Sequence, residues 1–264
     1  MAMDMMELIR TRKSVRTFDG SAVADTDIAK LTDYFKTITN PYDIPVEFVL
    51  LDSKEHELSS PVIQGEHLYI AGKVPETAHC EEAFGFAFEK MVLFAWSLGI
   101  GSTWIGGTMK RDRFEQEAKV KSGEIMPCVS PLGYPAKKRS VKEIAMRTAI
   151  RAEKRIKDAE LFFENDFGTP LHTNDAAVQR ALEAVRLAPS AVNKQPWRIV
   201  KSGNAYHFYK KRSIGDSGAA WDVQKVDLGI AICHFMTIAG GTLSIAKPSI
   251  PAAQDTEYIA TVTL

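Results

Sequence analysis

The chain has 264 residues, and its 33 Lys plus Arg are matched by 33 Asp plus Glu. That balance leaves no basic field for nucleic acid or an anionic membrane. No apolar run reaches the ~20 residues of a spanning helix, and residues 1–16 lack the apolar core of a secretory signal. The cysteines, Cys80, Cys128 and Cys233, fit no zinc or CxxC spacing. The expectation is reduced thiols in a cytoplasmic protein without metal, nucleic-acid or membrane partners.

Met5, Met6, Leu8 and Ile9 have helical spacing and predict a short helix over 5–13. The loop over 12–18 gathers Arg12, Lys13, Ser14 and Arg16. Charge-assisted bonds to phosphate are strong and directional, so this loop is either a phosphate clamp or a solvated basic turn. Asp25, Thr26 and Asp27 can cap a helix over 28–37. Asn40, Pro41 and Pro45 then break the chain before a strand over 46–51. The mixed segment 53–75 holds a short strand over 68–71, and its Gln64, Glu66 and His67 face either a ligand or solvent.

Residues 78–98 carry the strongest helical pattern. Phe84, Phe88, Met91, Val92, Ala95 and Leu98 recur at three and four residues, and Phe86, Phe94 and Trp96 make the helix apolar nearly all round. It should be buried at the centre and closed by Gly99. The glycines over 99–107 follow a helix and not a strand, which argues against a dinucleotide-binding turn. They suit close approach of backbone to a flat ring. A charged helix over 111–121 follows, then a strand over 124–134 interrupted by Pro127 and Pro131, then the basic cluster Lys137, Lys138 and Arg139. The segment 141–164 is rich in Lys, Arg, Glu and Ala and predicts one solvent-facing helix connecting two halves.

A helix over 175–187 leads into a loop stiffened by Pro189 and Pro196, with Ser190, Asn193 and Gln195 between them. Such a loop is either an ordinary helix-to-strand connection or a rigid frame holding polar groups toward a flat ligand. A strand begins at Trp197, a long buried helix runs from Asp227 toward Gly240, and a last strand covers 258–262. Segments 64–75 and 207–221 are candidates for shaping a pocket. Helix, loop, strand, long buried helix and closing strand thus occur over 1–140 and again over 165–264. This order predicts one domain built of two fused half-repeats.

Four runs stand out: Arg12-Lys13-Ser14-Val15-Arg16-Thr17-Phe18; Trp104-Ile105-Gly106-Gly107; Gly133-Tyr134-Pro135 with Lys137-Lys138-Arg139; and Ala188-Pro189-Ser190-Ala191-Val192-Asn193-Lys194-Gln195-Pro196-Trp197. Together they resemble the FMN-dependent nitroreductase family. The resemblance implies an α+β fold with a central, mainly antiparallel sheet flanked by helices. It also implies FMN as cofactor, NAD(P)H as hydride donor, and a nitroaromatic, quinone or similar acceptor. In that family one subunit of a homodimer supplies the basic clamp and glycines, and its partner supplies the Pro-Ser-x-x-Asn loop.

Here the clamp motif lies in the first half and the loop motif in the second. The chain therefore resembles the smaller set of relatives in which such a dimer is collapsed into one polypeptide with one site retained. By that resemblance Arg12 and Ser14 hold the phosphate, with Lys13, Lys137, Lys138 and Arg139 as further candidates. Arg16 lies at the N1 and O2 edge of the ring, and the backbone of Ile105, Gly106 and Gly107 approaches N5 and O4. Pro189, Ser190, Ala191 and Asn193 border the ring or ribityl chain. No side chain is implied as catalytic, because the flavin carries the chemistry. One FMN per chain is expected, in a monomeric pseudo-dimer or a homodimer. A flavin carrier or redox sensor without general reductase activity is the alternative.

Overall fold

The computed structural model describes residues 4–215 and 221–264. Part of the candidate pocket segment 207–221, residues 216–220, lies outside them. The backbone divides into two compact units: Thr11–Cys80 with Ala87–Ala152, and Glu153–Leu264 with Glu81–Phe86 and the N-terminal segment ending at Arg10.

In chain order the elements begin with α1 (Met5–Thr11), α2 (Asp25–Phe35), β1 (Glu47–Asp52), β2 (Leu68–Pro75) and α3 (Cys80–Ser97). They continue with β3 (Gly101–Ser102), α4 (Arg111–Glu117), β4 (Glu124–Ile125), β5 (Val129–Gly133) and α5 (Val141–Ala149). The strands form an antiparallel sheet in the order β1-β2-β5-β3, with β4 beside β2. Leu51, Tyr69, Ile105, Phe114, Met126 and Val129 build a core on this sheet, where Tyr69 meets the edge of Phe114 at 5.0 Å. Strand β2 runs past Ala71, where the sequence pattern ends it, because Lys73 is buried without being unpaired. Its ammonium lies 3.2 Å from Glu47 and donates to the Lys119 carbonyl at 3.1 Å.

The second series is α6 (Asp158–Leu161), β6 (Phe162–Glu164), α7 (Ala176–Leu187), β7 (Trp197–Ser202), β8 (Ala205–Lys211), α8 (Val223–Ala239), β9 (Thr242–Ser244) and β10 (Thr256–Thr263). Its sheet has the order β6-β7-β8-β10-β9, antiparallel except for the parallel pair β6–β7. The run β7-β8-β10-β9 has the same order as β1-β2-β5-β3. Helix α8 falls between β8 and β9 as α3 falls between β2 and β3. The class is α+β with mainly antiparallel sheets.

Several predicted boundaries move. The connector is not one helix over 141–164: α5 stops at Ala149, and Leu161 and Phe162 are buried at 0% and 3% exposure. Phe162 and Phe163 bury more apolar surface in a sheet edge than they could on a solvent-facing helix. Helix α2 starts at Asp25, so its acids lie in the first turn and answer the helix dipole instead of capping by side chain. Asp175 does cap α7, accepting from the amides of Ala177 and Val178.

Within the second unit the first turns of α3 cross α8 at two glycines. A Cβ on Gly85 would overlap the carbonyl oxygen of Val226, and one on Gly229 would overlap that of Glu82. Two acids are trapped nearby. Burial pushes Glu82 up to about 7 and holds Asp227 well above the ordinary carboxylate range. Both bind protons more tightly folded than unfolded, so their contribution to stability falls as pH rises. For Glu82 the window runs from 4.5 to about 7 and is worth on the order of 3 kcal/mol. Glu82→Gln should flatten the pH dependence of urea unfolding across that window; a slope equal to that of the native chain would contradict this assignment.

Candidate functional site

Residues 12–18 are laced to the first sheet. The Val15 amide donates to Ser102 at 2.9 Å, the Phe18 amide to Gln64 at 2.8 Å, and the Ala136 amide to Thr17 at 3.0 Å. Val15 and Phe18 point inward, where a Cβ on Gly101 or Gly133 would come within 2.7 Å and 2.8 Å of them. Glycine at those two positions lets the segment lie flat on the sheet. Arg12, Ser14 and Arg16 are thereby fixed in place.

The Arg12 side chain is only 6% exposed, and its Nε lies 3.8 Å from Glu89, whose side chain is fully buried. Glu89 also accepts from the Trp104 indole at 3.2 Å. At 3.8 Å the pair is coulombic and not hydrogen-bonded. Arg12 Nε and Nη1, and Arg16 Nη1, are buried donors without a hydrogen-bond partner among the described residues. Burial holds both guanidinium groups below their ordinary value. Glu89 opposes this at Arg12 and Glu143 at Arg16, while the charge of Arg147 adds to it at both. Arginine remains charged in a protein, so the arrangement is a costly cation site unless an anion answers it.

Glu143 fastens α5 over this segment, accepting from the Arg16 amide at 3.2 Å and the Thr17 hydroxyl at 2.9 Å. Ser140 caps the same helix through the Glu143 amide. Lys13, Lys137 and Lys138 are exposed, and Arg139 reaches Glu143 at 3.5 Å. Ile105 exchanges both backbone bonds with Val129 at 2.9 Å, so its amide is spoken for. The Gly106 carbonyl accepts from Arg111 at 2.7 Å. Of the expected backbone contacts, that leaves the amides of Gly106 and Gly107.

Pro189, Ser190, Ala191 and Asn193 belong to the second unit. There the loop is stapled by its own polar side chains. The Gln195 amide donates to Ser190 Oγ at 2.9 Å, and Gln195 Oε1 accepts from the Ile156 amide at 2.9 Å. Asn193 donates to the Lys154 carbonyl at 2.9 Å and accepts from Arg155 at 3.2 Å. Asp227 on α8 accepts from the Ala191 amide at 3.0 Å. The Ser190 hydroxyl keeps its proton for a further bond, whereas Asn193 is engaged on both ends of its amide.

Val192, Asn193 and Gln195 have φ of 43°, 58° and 50°. A β-branched residue in the left-handed region is strained by about 1–3 kcal/mol, and Val192, 54% exposed, has little packing to offset that. Val192→Asn should raise the stability by about 1 kcal/mol in urea unfolding; a loss would mean that the valine side chain has a contact worth more than the strain.

A family model described as "Putative TM nitroreductase" matches residues 4–239, a span that includes both the clamp and the loop. The chain belongs to this nitroreductase family. It is similar to a protein of Methanothermobacter thermautotrophicus named "Putative NADH dehydrogenase/NAD(P)H nitroreductase", with 27% identity over 168 residues covering 58% of this chain and 88% of that one. The crystal structure of a protein from Thermotoga maritima MSB8 described as "a putative nitroreductase" covers 100% of this chain and 95% of its own, with a TM-score of 0.60 and 22% identity. That likeness carries the fold of this nitroreductase-family chain. Among its described residues no helix is long and apolar enough to cross a membrane, and no cluster of His, Cys, Asp and Glu could hold a metal ion.

Sequence reasoning left out Glu89, Glu143, Arg147 and Asp227. Glu89 had a legible signal, being a carboxylate within the apolar stripe of α3. Glu143 and Arg147 had none, because the connector read as a solvated helix.

Proposed function

We propose that the chain binds FMN and passes electrons from NAD(P)H to a nitroaromatic, quinone or similar small acceptor. The observation that carries this reading is the pair of buried guanidinium groups with unmade hydrogen bonds, Arg12 Nε and Nη1 and Arg16 Nη1. FMN presents two anionic ends, its phosphate and the N1 edge of the reduced ring, and these donors fit such a group. When bound, FMN supplies the hydride and electron chemistry. Arg12 and Ser14 would hold the phosphate, Arg16 the N1 and O2 edge, and the amides of Gly106 and Gly107 the ring near N5 and O4. Pro189, Ser190, Ala191 and Asn193 are carried over from the family as ring or ribityl neighbours, Ser190 through its hydroxyl.

The common strand order of the two sheets supports two half-repeats in one chain, and hence one retained site per chain in a pseudo-dimer. Cys80, Cys128 and Cys233 are buried, as suits thiols kept reduced in a cytoplasm. The reductase reading is tested by NADH and NADPH oxidation in the FMN-loaded protein with and without menadione or a nitroaromatic. Acceptor-dependent turnover is expected. Bound FMN with no turnover for any acceptor would favour a flavin carrier or sensor.

A further inference from the structure

Helix α5 is amphipathic in the inverse sense. Val141 and Ile144 are 83% and 53% exposed, while Glu143 is buried at 3%. The polar face is the docked one: Ser140 bonds the Thr17 hydroxyl at 3.0 Å, and Glu143 holds the Arg16 amide and Thr17. Arg147 lies four residues beyond Glu143, one helical turn along the same face, and is half-buried. The helix that fastens the clamp segment therefore also delivers a cation to it.

We propose that Arg147 is a second guanidinium of the FMN phosphate site beside Arg12, the role for which the sequence offered Lys137, Lys138 and Arg139. Those three are exposed, and the inward-facing Glu143 draws Arg139 to itself at 3.5 Å. Arg147 instead acts on Arg12 and Arg16 alike. The unbonded Arg12 nitrogens suit a dianion with several acceptor oxygens, as a phosphate monoester has. The inference rests on the FMN reading.

Riboflavin lacks the phosphate and separates this role from a structural one. Affinities for FMN and riboflavin are compared by flavin fluorescence quenching in the native chain, Arg147→Met and Arg147→Lys, with Lys138→Met as control. Arg147→Met should lose about tenfold to a hundredfold for FMN and leave riboflavin unchanged. Arg147→Lys keeps the charge without the fork; it should fall between, and it serves if the methionine variant fails to fold. Lys138→Met should keep the native preference. An unchanged FMN-to-riboflavin preference in the Arg147 variants, or a greater loss of it in Lys138→Met, overturns the inference alone. A native chain that binds neither flavin overturns the cofactor reading and this inference with it.

Discussion

Gly229→Ala is expected to destabilise the unit containing α8 by about 3 kcal/mol or more. Overpacking against side chains commonly costs about 1–3 kcal/mol because rotamers can yield. Here the added Cβ would overlap a backbone carbonyl, that of Glu82, so the two helices would have to separate. Separation opens gaps around Leu228, Ile232 and Phe235, all fully buried, and forfeits their dispersion contacts. The alanine gains only about 1 kcal/mol in helix propensity. Gly85→Ala meets the Val226 carbonyl in the reciprocal way and should behave alike. Gly107→Ala, with open space where its Cβ would be, is the neutral control. Urea unfolding followed by circular dichroism measures all three. A Gly229→Ala protein as stable as the native chain would mean the helices do not cross so closely.

Arg16→Ala should leave the fold intact and weaken FMN binding by about 2–5 kcal/mol, the usual cost of truncating a buried charged contact. The fold survives because Glu143 accepts from the backbone amide of residue 16 and from Thr17, neither of which the substitution removes. The midpoint potential of any bound flavin should also fall, since a fixed cation at the N1 edge stabilises the negative charge of the reduced ring. Equilibrium dialysis and a redox titration with a reference dye measure the two effects. Unchanged retention together with an unchanged midpoint would remove Arg16 from the site.

The long apolar helices and the helix before the signature loop were legible because their periodicity and their cap or closing glycine agree. Strand β8 was not predicted, although Gly203 and Asn204 between two β-rich runs are a hairpin signal. The aromatic run Tyr206, His207, Phe208 and Tyr209 lacks polar alternation because it is buried on both faces. Strand β6 joins the sheet through its parallel pairing with β7, a long-range contact that no local pattern encodes. At the clamp, residue types and spacing left a phosphate clamp or a solvated basic turn open, and the family resemblance singled out Arg12 and Arg16. Which cations turn inward depended on how α5 docks, and its exposed Val141 and Ile144 give a pattern opposite to the true buried face. In the loop the short polar side chains suggested ligand contacts, yet Gln195 and Asn193 are consumed in holding left-handed backbone in place.

The most direct measurement is the visible spectrum of the chain purified without added flavin, followed by acid release and quantitation of the chromophore. Flavin absorbance with about one FMN released per chain is the expected result. A colourless protein that also fails to take up added FMN would make Arg12 and Arg16 a structural cation pair, and two FMN per chain would contradict the single retained site.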